Sequence, residues 1–299
     1  MIPFAVVLRQ MRVRQWTKNL VLFAGVIFSY HFLEPAELIR AALGFLSFSF
    51  LASSVYVLND LQDVEKDRIH PKKRFRPIAA GEISIAAARV LLVLLLSAAI
   101  GVGTYLGPGF LVTISIYYVL NIAYSWRLKH VVILDVMIIA AGFVLRAVAG
   151  VKALTVDELI SPWLLICTLF LALFLAVCKR RQERELLADA AEDHRRTLQE
   201  YPPQLVDQLI AVTTAATIIS YAIYTVSPVT VARFGTEALV YTIPFVVFGV
   251  FRYLYLVHRR QQGGSPSEVL LSDVPTWLNV LLWGAAVLAI LTFGGGIWG

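Results

Sequence analysis

The sequence predicts an all-α integral membrane protein of about nine transmembrane helices, folded as a single domain over residues 1–299. Three observations predict it. Of the 299 residues, 59% are hydrophobic and the mean hydropathy is +0.74, well beyond a soluble domain. Apolar runs close to the ~20 residues that cross a bilayer recur along the whole chain. Lysine and arginine gather in alternate connections, as they do when one set of loops stays in the cytoplasm.

The elements follow in order. A first span is expected over 19–33, behind Arg9, Arg12, Arg14 and Lys18; no cleavage site follows a short apolar core, so it reads as retained. A second runs over 40–60, and the connection after it carries Lys66, Arg68, Lys72, Lys73, Arg74 and Arg76. Spans over 86–106 and 109–126 lead to a short connection with Arg127 and Lys129, then a fifth span over 132–150. The sixth, 161–180, ends in Lys179, Arg180, Arg181 and Arg184, with Arg195 and Arg196 further on. Spans over 205–226, 238–257 and 277–294 complete the set, with Arg252, Arg259 and Arg260 before a flexible connection over 261–268. The opposite face shows only Arg40, Lys152 and Arg233, which places the N-terminus and the basic loops in the cytoplasm. The net charge of +6 is therefore a topology signal that also suits anionic lipid head groups, and not a nucleic-acid footprint. Cys167 and Cys178 have no metal-ligand spacing. Lipid-facing and subunit-facing helices look alike in such a sequence, so a homo-oligomer stays open.

The most telling stretch closes the second span: Asn59-Asp60-Leu61-Gln62-Asp63-Val64-Glu65-Lys66-Asp67-Arg68. On a helix Asn59, Asp63 and Asp67 stack on one face, and Asp60 joins them through three-residue spacing. Carboxylates this close repel unless a cation sits among them, and an all-oxygen set suits Mg²⁺, which usually shares its coordination with substrate phosphates. Next comes His70-Pro71-Lys72-Lys73-Arg74-Phe75-Arg76-Pro77, whose cations can hold a phosphate from the side opposite the metal. A solvated topology loop would not need acidic ligands beside it.

Polar residues recur in stripes within the spans. Ser49, Ser53, Tyr56, Asp60 and Asp63 share a face of the second; Tyr117, Asn121 and Tyr124 share one of the fourth. Asp135, Gly142, Arg146 and Gly150 follow helical spacing in the fifth, and Thr213, Thr217, Ser220 and Tyr224 in the seventh. The hydroxyls are open to a purely structural reading as helix-packing hydrogen bonds. Asp135 and Arg146 are charges inside a span, which marks them as functional candidates. At the end of the sixth span Lys179 and Glu183 are four residues apart and face the same way, with Arg180 between them. Asp189 and Asp193 form a further acidic pair in a charged, helix-prone stretch from Leu186 to Tyr201 that suits a cover over a membrane-surface site.

These motifs resemble the UbiA superfamily of intramembrane prenyltransferases: Asn59-Asp60-x-x-Asp63-x-x-x-Asp67-Arg68 is similar to its first Asp-rich motif. Other stretches resemble its decaprenyl-phosphate phosphoribosyltransferase branch. They are Arg14-Gln15-Trp16-Thr17-Lys18-Asn19, the loop His70 to Gly81, Tyr124-Ser125-x-x-Leu128-Lys129, Asp135, Gly142 to Arg146, Lys179-Arg180-x-x-Glu183, and His194 to Tyr201. The resemblance implies nine helices around a central cavity with a cytoplasmic cap, in a bacterial inner membrane. It implies Mg²⁺-dependent transfer of 5-phosphoribosyl from phosphoribosyl pyrophosphate to a polyprenyl phosphate, for cell-envelope polysaccharide synthesis. It further implies Mg²⁺ at Asn59, Asp60, Asp63 and Asp67, with Asp60, Asp63, Asp67 and Lys179 as the catalytic set. Substrate contacts would come from Lys18, Tyr56, Asn59, Lys73, Arg76, Tyr124, Lys129, Asp135, Arg146, Lys179, Arg180 and Glu183. One departure stands out: the superfamily's second Asp-x-x-x-Asp motif is replaced by Lys179-x-x-x-Glu183, which argues against its ordinary reaction, prenyl transfer to an aromatic ring. A transporter of a phosphorylated solute would show inverted halves or helices broken at mid-membrane, and neither is visible.

Overall fold

The computed structural model describes residues 2–155, 160–188, 200–260, 269 and 272–293. Those residues are helical with short connections, and eight of the helices are long and apolar enough to cross a membrane. Two short helices, α1 (Phe4–Gln10) and α2 (Phe23–Phe28), flank a 3₁₀ segment over Val13–Leu22. The long helix α3 (Pro35–Gln62) is followed by the short α4 (Val64–Ile69), then α5 (Ile85–Leu106), α6 (Pro108–Trp126) and α7 (Leu134–Lys152). The rest comprises α8 (Pro162–Ala188), α9 (Pro203–Val226), α10 (Pro228–Phe234), α11 (Ile243–Arg260) and α12 (Val274–Phe293). Proline opens α3, α6, α8, α9 and α10, where its missing N–H costs nothing and its fixed φ favours the first turn.

The expected first span is the one that differs. The helical run there is Val13–Phe28, shifted towards the N-terminus from the expected 19–33 and of two types, the 3₁₀ segment passing directly into the six-residue α2. The chain turns directly after α2, with Tyr30 at φ 67° and the His31 amide bonded to the Val26 carbonyl at 3.2 Å. The backbones pack closely here: a Cβ on Gly25 would sit 2.4 Å from the Gly150 carbonyl carbon, and one on Gly150 only 2.1 Å from the Leu22 oxygen, so both positions require glycine.

The chain divides into two compact units, Met1–Trp126 with Leu145–Glu158, and Arg127–Val144 with Leu159–Gly299, so α7 contributes its first turns to one and its last to the other. In the first unit α3 is central: 61% of its most apolar window is buried, against 17% for α5 and 22% for α6. Helices α5 and α6 accordingly turn Val90, Val93, Leu94, Val112, Ile116 and Val119 outward, the arrangement expected of lipid-facing surface. Leu22, Phe48, Leu51, Ala99, Phe110, Ile114, Tyr117 and Ala149 form a core around α3, and Ser47 Oγ bonds the Ala99 carbonyl at 2.8 Å, tying α3 to α5. At the start of α3, Arg40 caps two carbonyls, Ala153 O at 2.8 Å and Leu106 O at 2.7 Å, the second in the last turn of α5. Buried Glu37 takes the Thr155 amide at 3.1 Å and the Thr155 hydroxyl.

The second unit packs α8, α9 and α11 around Val136, Phe174, Val177, Tyr201, Val206, Tyr253 and Leu256. Asp273 stands directly before α12 and accepts from Arg252 Nε at 3.1 Å and Nη2 at 2.8 Å, together with the Thr276 amide and hydroxyl. The Arg252 guanidinium holds this carboxyl down to about 2.

Two outcomes follow for stability. Gly150→Ala should lose about 1–3 kcal/mol or more through forced separation of backbones, whereas Gly101→Ala, with open space at its Cβ, should be neutral or gain about 0.5–1 kcal/mol. Thermal unfolding in detergent compares them. Because Asp273 titrates below its ordinary value, its contribution is complete above about pH 4 and fades as pH falls towards 2. Asp273→Asn should flatten stability between pH 2 and 5 relative to the parent.

Candidate functional site

The acidic motif lies where α3 gives way to α4. The backbone leaves helical geometry at Asp63 (φ −102°, ψ 12°), yet the Asp63 amide still bonds the Asn59 carbonyl at 3.0 Å and the Asp67 amide bonds the Asp63 carbonyl at 2.8 Å. The four-residue repeat of Asn59, Asp63 and Asp67 therefore persists through the junction. Asp60 and Asp67 are each only 2% exposed, and carboxylates that deep need compensation. Asp60 Oδ1 accepts from Arg12 Nη2 at 2.6 Å and Arg76 Nη1 at 3.0 Å, and its Oδ2 accepts from Gln10 Nε2 at 2.9 Å. The same Arg76 nitrogen donates to Asp67 Oδ2 at 2.6 Å, and Lys73 Nζ stands 4.0 Å from Asp67 Oδ1. One guanidinium thus bridges the two buried carboxylates, and the loop that carries it is pinned to the end of α3.

Gln10 and Arg12 are contributors that sequence reasoning missed. Gln10 is fully buried at the end of α1; Arg12 has the left-handed backbone φ 53°, ψ 49° and lies over the Tyr56 ring at 4.7 Å. No periodicity connects residues 10 and 12 with residue 60, and Arg12 read only as part of the N-terminal charge. The left-handed turn is a cost of order 1–3 kcal/mol that the surrounding contacts must offset.

By donor type the site fits a hard divalent cation. Asn59 and Asp63 are half-buried, and their side chains have no hydrogen-bond or ion-pair partner among the described residues. Two carboxylate oxygens offer about four lone-pair positions, and Asp60 uses three of them. No three His, Cys, Asp or Glu side chains among the described residues are gathered closely enough to hold an ion by themselves; at Asp60 and Asp67 the arginines supply the positive charge that spacing had led us to expect from a metal.

Deeper in the same unit Arg146, 5% exposed, donates from Nε to Asn19 Oδ1 at 2.7 Å and from Nη2 to the Tyr117 hydroxyl at 2.9 Å, and lies over the Phe48 and Tyr117 rings. Asn19 in turn donates to Ser49 Oγ at 2.9 Å, so this stripe is one connected network. Lys18 on the 3₁₀ segment and Tyr124 near the end of α6 are half-buried.

The second unit holds the other candidates. Asp135, 1% exposed, accepts from Arg180 Nε at 2.8 Å and from the Tyr201 hydroxyl at 2.6 Å. Arg180 also donates to Glu183, and Lys179 Nζ stands 3.6 Å from the other Glu183 oxygen, on the shared face that the four-residue spacing required. Asp135 and Arg180 are thus directed at each other, while Lys179 keeps 42% of its side chain accessible. Burial first, and the neighbouring Asp135 carboxylate second, raise the Tyr201 phenol above the ordinary tyrosine range, so it stays a donor at neutral pH. Lys129 lies half-buried in a short 3₁₀ turn, Leu128–His130. On α9 the hydroxyls of Thr213, Thr217 and Ser220 bond carbonyls of their own helix, which is the structural reading of that stripe. Asp189, Asp193 and the His194-Arg195-Arg196 run lie outside the described residues.

Residues 20–272 match the UbiA prenyltransferase family. The decaprenyl-phosphate phosphoribosyltransferase of Corynebacterium glutamicum is 31% identical over 284 residues, spanning 92% of this chain and 83% of that relative. The protein of the same name from Mycolicibacterium smegmatis is 30% identical over 297 residues, spanning 96% and 92%. A solved UbiA homolog from Archaeoglobus fulgidus, bound to GPP and Mg²⁺, is alike with a TM-score of 0.70 over 96% of this chain and 99% of that chain; at 21% identity the likeness concerns the fold alone.

Arg76→Leu leaves Asp60 and Asp67 without their shared guanidinium. It should destabilise the protein by about 1–3 kcal/mol, less than the ~3–5 kcal/mol of a fully buried pair because Arg76 reaches solvent. Arg68→Leu, whose partner Glu65 is exposed, should cost under about 1 kcal/mol in the same unfolding measurement.

Proposed function

The chain belongs to the UbiA prenyltransferase family, and on that premise we propose that it moves the 5-phosphoribosyl group of phosphoribosyl pyrophosphate onto a polyprenyl phosphate, decaprenyl phosphate being the acceptor in its relatives' names, with release of pyrophosphate. The observation that carries this reading is near-full-length identity of 30–31% to two relatives bearing that name. The residue chemistry supports it: a diphosphate leaving group and an anionic acceptor call for more cations than a prenyl transfer does, and Lys179 stands where the superfamily pattern has an aspartate.

The mechanism we assign follows from residue types. Asn59, Asp63 and Asp67, with the remaining lone pair of Asp60, would hold Mg²⁺. Bound there, the ion supplies neutralisation of the charge that builds on the departing pyrophosphate. Arg76 is already fixed by Asp60 and Asp67, so its remaining donors meet phosphate oxygens without reorganisation. Lys73 adds a mobile point charge beside it. In the second unit Lys179, with Glu183 limiting its motion, is the cation we assign to phosphate binding. Ribose C1 gains oxocarbenium character as its bond to pyrophosphate lengthens, and a phosphate oxygen of the lipid forms the new bond. That oxygen is already anionic, so no general base has to remove a proton. Lys18, Tyr56, Tyr124, Lys129 and Arg146 are assigned to substrate contact on the same reading, in a bacterial inner membrane with the N-terminus and site in the cytoplasm.

Purified protein in detergent, given labelled phosphoribosyl pyrophosphate, Mg²⁺ and decaprenyl phosphate, should move label into an organic-soluble lipid. EDTA should abolish transfer, and Asp63→Ala should lower it by about 10²-fold or more. Absence of transfer, together with prenylation of an aromatic acceptor from a prenyl diphosphate, would overturn the substrate assignment.

A further inference from the structure

Tyr201 is fully buried, yet its hydroxyl is used twice: it donates to Asp135 Oδ1 at 2.6 Å and accepts the Ile133 amide at 2.8 Å. Ile133 has φ 68°, and the Leu134 amide bonds the Val132 carbonyl at 2.8 Å, so the chain makes a tight three-residue turn centred on a β-branched residue. Such a turn is rare and strained. It ends where α7 begins, one residue before Asp135. The strained turn and the Tyr201 hydroxyl therefore set the same thing, the position of the Asp135 carboxylate.

From Asp135 the contacts run on in one direction. Its second oxygen takes Arg180 Nε at 2.8 Å; Arg180, 2% exposed, donates onward to Glu183; Glu183 holds Lys179 Nζ at 3.6 Å. Accessibility rises along this chain, from 2% at Arg180 to 28% at Glu183 and 42% at Lys179. A buried guanidinium between two carboxylates has little freedom, because moving it leaves Asp135 with an unsatisfied buried charge. We infer that Tyr201 is a positioning residue for the phosphate-binding end of α8, acting through Asp135 and Arg180 to fix Glu183 and Lys179. Asp135 and Arg180 then belong to the support of the site and do not touch substrate. The inference rests on the proposed function for its choice of phosphate as ligand. Tyr201 closes the His194–Tyr201 stretch of the resemblance, but no spacing connects it with Asp135, 66 residues away.

The test is a double-mutant cycle over Tyr201→Phe and Glu183→Gln, two positions joined through Asp135 and Arg180. Full-length protein is titrated with pyrophosphate and Mg²⁺ by calorimetry, and transfer kinetics with phosphoribosyl pyrophosphate are measured in parallel. Tyr201→Phe keeps the ring and its packing, and its folding is checked by thermal unfolding. It should weaken pyrophosphate binding, and raise KM for phosphoribosyl pyrophosphate, by about 10- to 100-fold, the range seen when a partner that orients a binding residue is removed. In Glu183→Gln the same change should have much less effect, because the link is already broken. Additive effects, or Tyr201→Phe binding as the parent does, overturn the positioning role and leave the proposed function standing. Coupled pyrophosphate binding in a parent that transfers no phosphoribosyl group keeps the positioning role and overturns the reaction. A parent that does not bind pyrophosphate overturns both.

Discussion

A carboxylate at the end of a membrane helix has to be neutralised, and in this protein Asp60 is the group around which that requirement is met. It sits at 2% exposure on the last turn of α3, the most buried helix of its unit. Three donors from two distant stretches reach it: Gln10 and Arg12 from the N-terminal segment, Arg76 from the loop beyond α4. Satisfying one charge therefore fixes the path of the chain on both sides of the helix. The left-handed turn at Arg12 persists because the guanidinium that it delivers answers a buried anion and stacks on Tyr56. Arg76 extends the same logic to Asp67, so that two acidic groups which would repel one another share a cation.

The second unit solves a similar problem with different parts. Asp135 is buried as deeply, but its partners are one guanidinium and one phenol, and the arginine is itself almost inaccessible. In the first unit the cations keep more than a quarter of their side chains in contact with solvent, 29% for Arg12 and 28% for Arg76. Partly exposed cations can offer their remaining donors to an incoming anion while they keep their carboxylates, whereas the fully buried pair cannot. The two clusters thus differ in kind: one is able to receive charge, the other holds geometry.

Much of this was legible beforehand, for reasons specific to each element. The spans from α3 onward follow from length and apolar content because a bilayer tolerates little else. Asp60, Asp63 and Asp67 announce themselves because acidic residues that end an apolar run are costly, and Lys179 and Glu183 meet at 3.6 Å as four-residue spacing requires. What escaped was everything that depends on contacts distant in sequence. Nothing local says that Gln10 reaches Asp60 or that Tyr201 reaches Asp135, 50 and 66 residues apart. The first span is legible only in outline: the chain is helical from Val13 to Phe28, but the change from 3₁₀ to α at Phe23 and the close approach of Gly25 and the Leu22 carbonyl to Gly150 are long-range features with no local signal.

The 3₁₀ form of Val13–Leu22 has a mechanical meaning beyond its shortness. Asn19 and Leu22 are three residues apart on it, and they engage Arg146 and Gly150, four residues apart on α7. Three residues of a 3₁₀ helix rise about 6 Å, and four residues of an α-helix rise about 6 Å as well. The two pairs are therefore spaced by equal rises, each along its own helix. Wound as an α-helix, the N-terminal segment would advance only about 4.5 Å over the same three residues. A substitution that favours ordinary α-helix over residues 13–22 would therefore change the spacing of Asn19 and Leu22, the two residues that meet α7, without touching either.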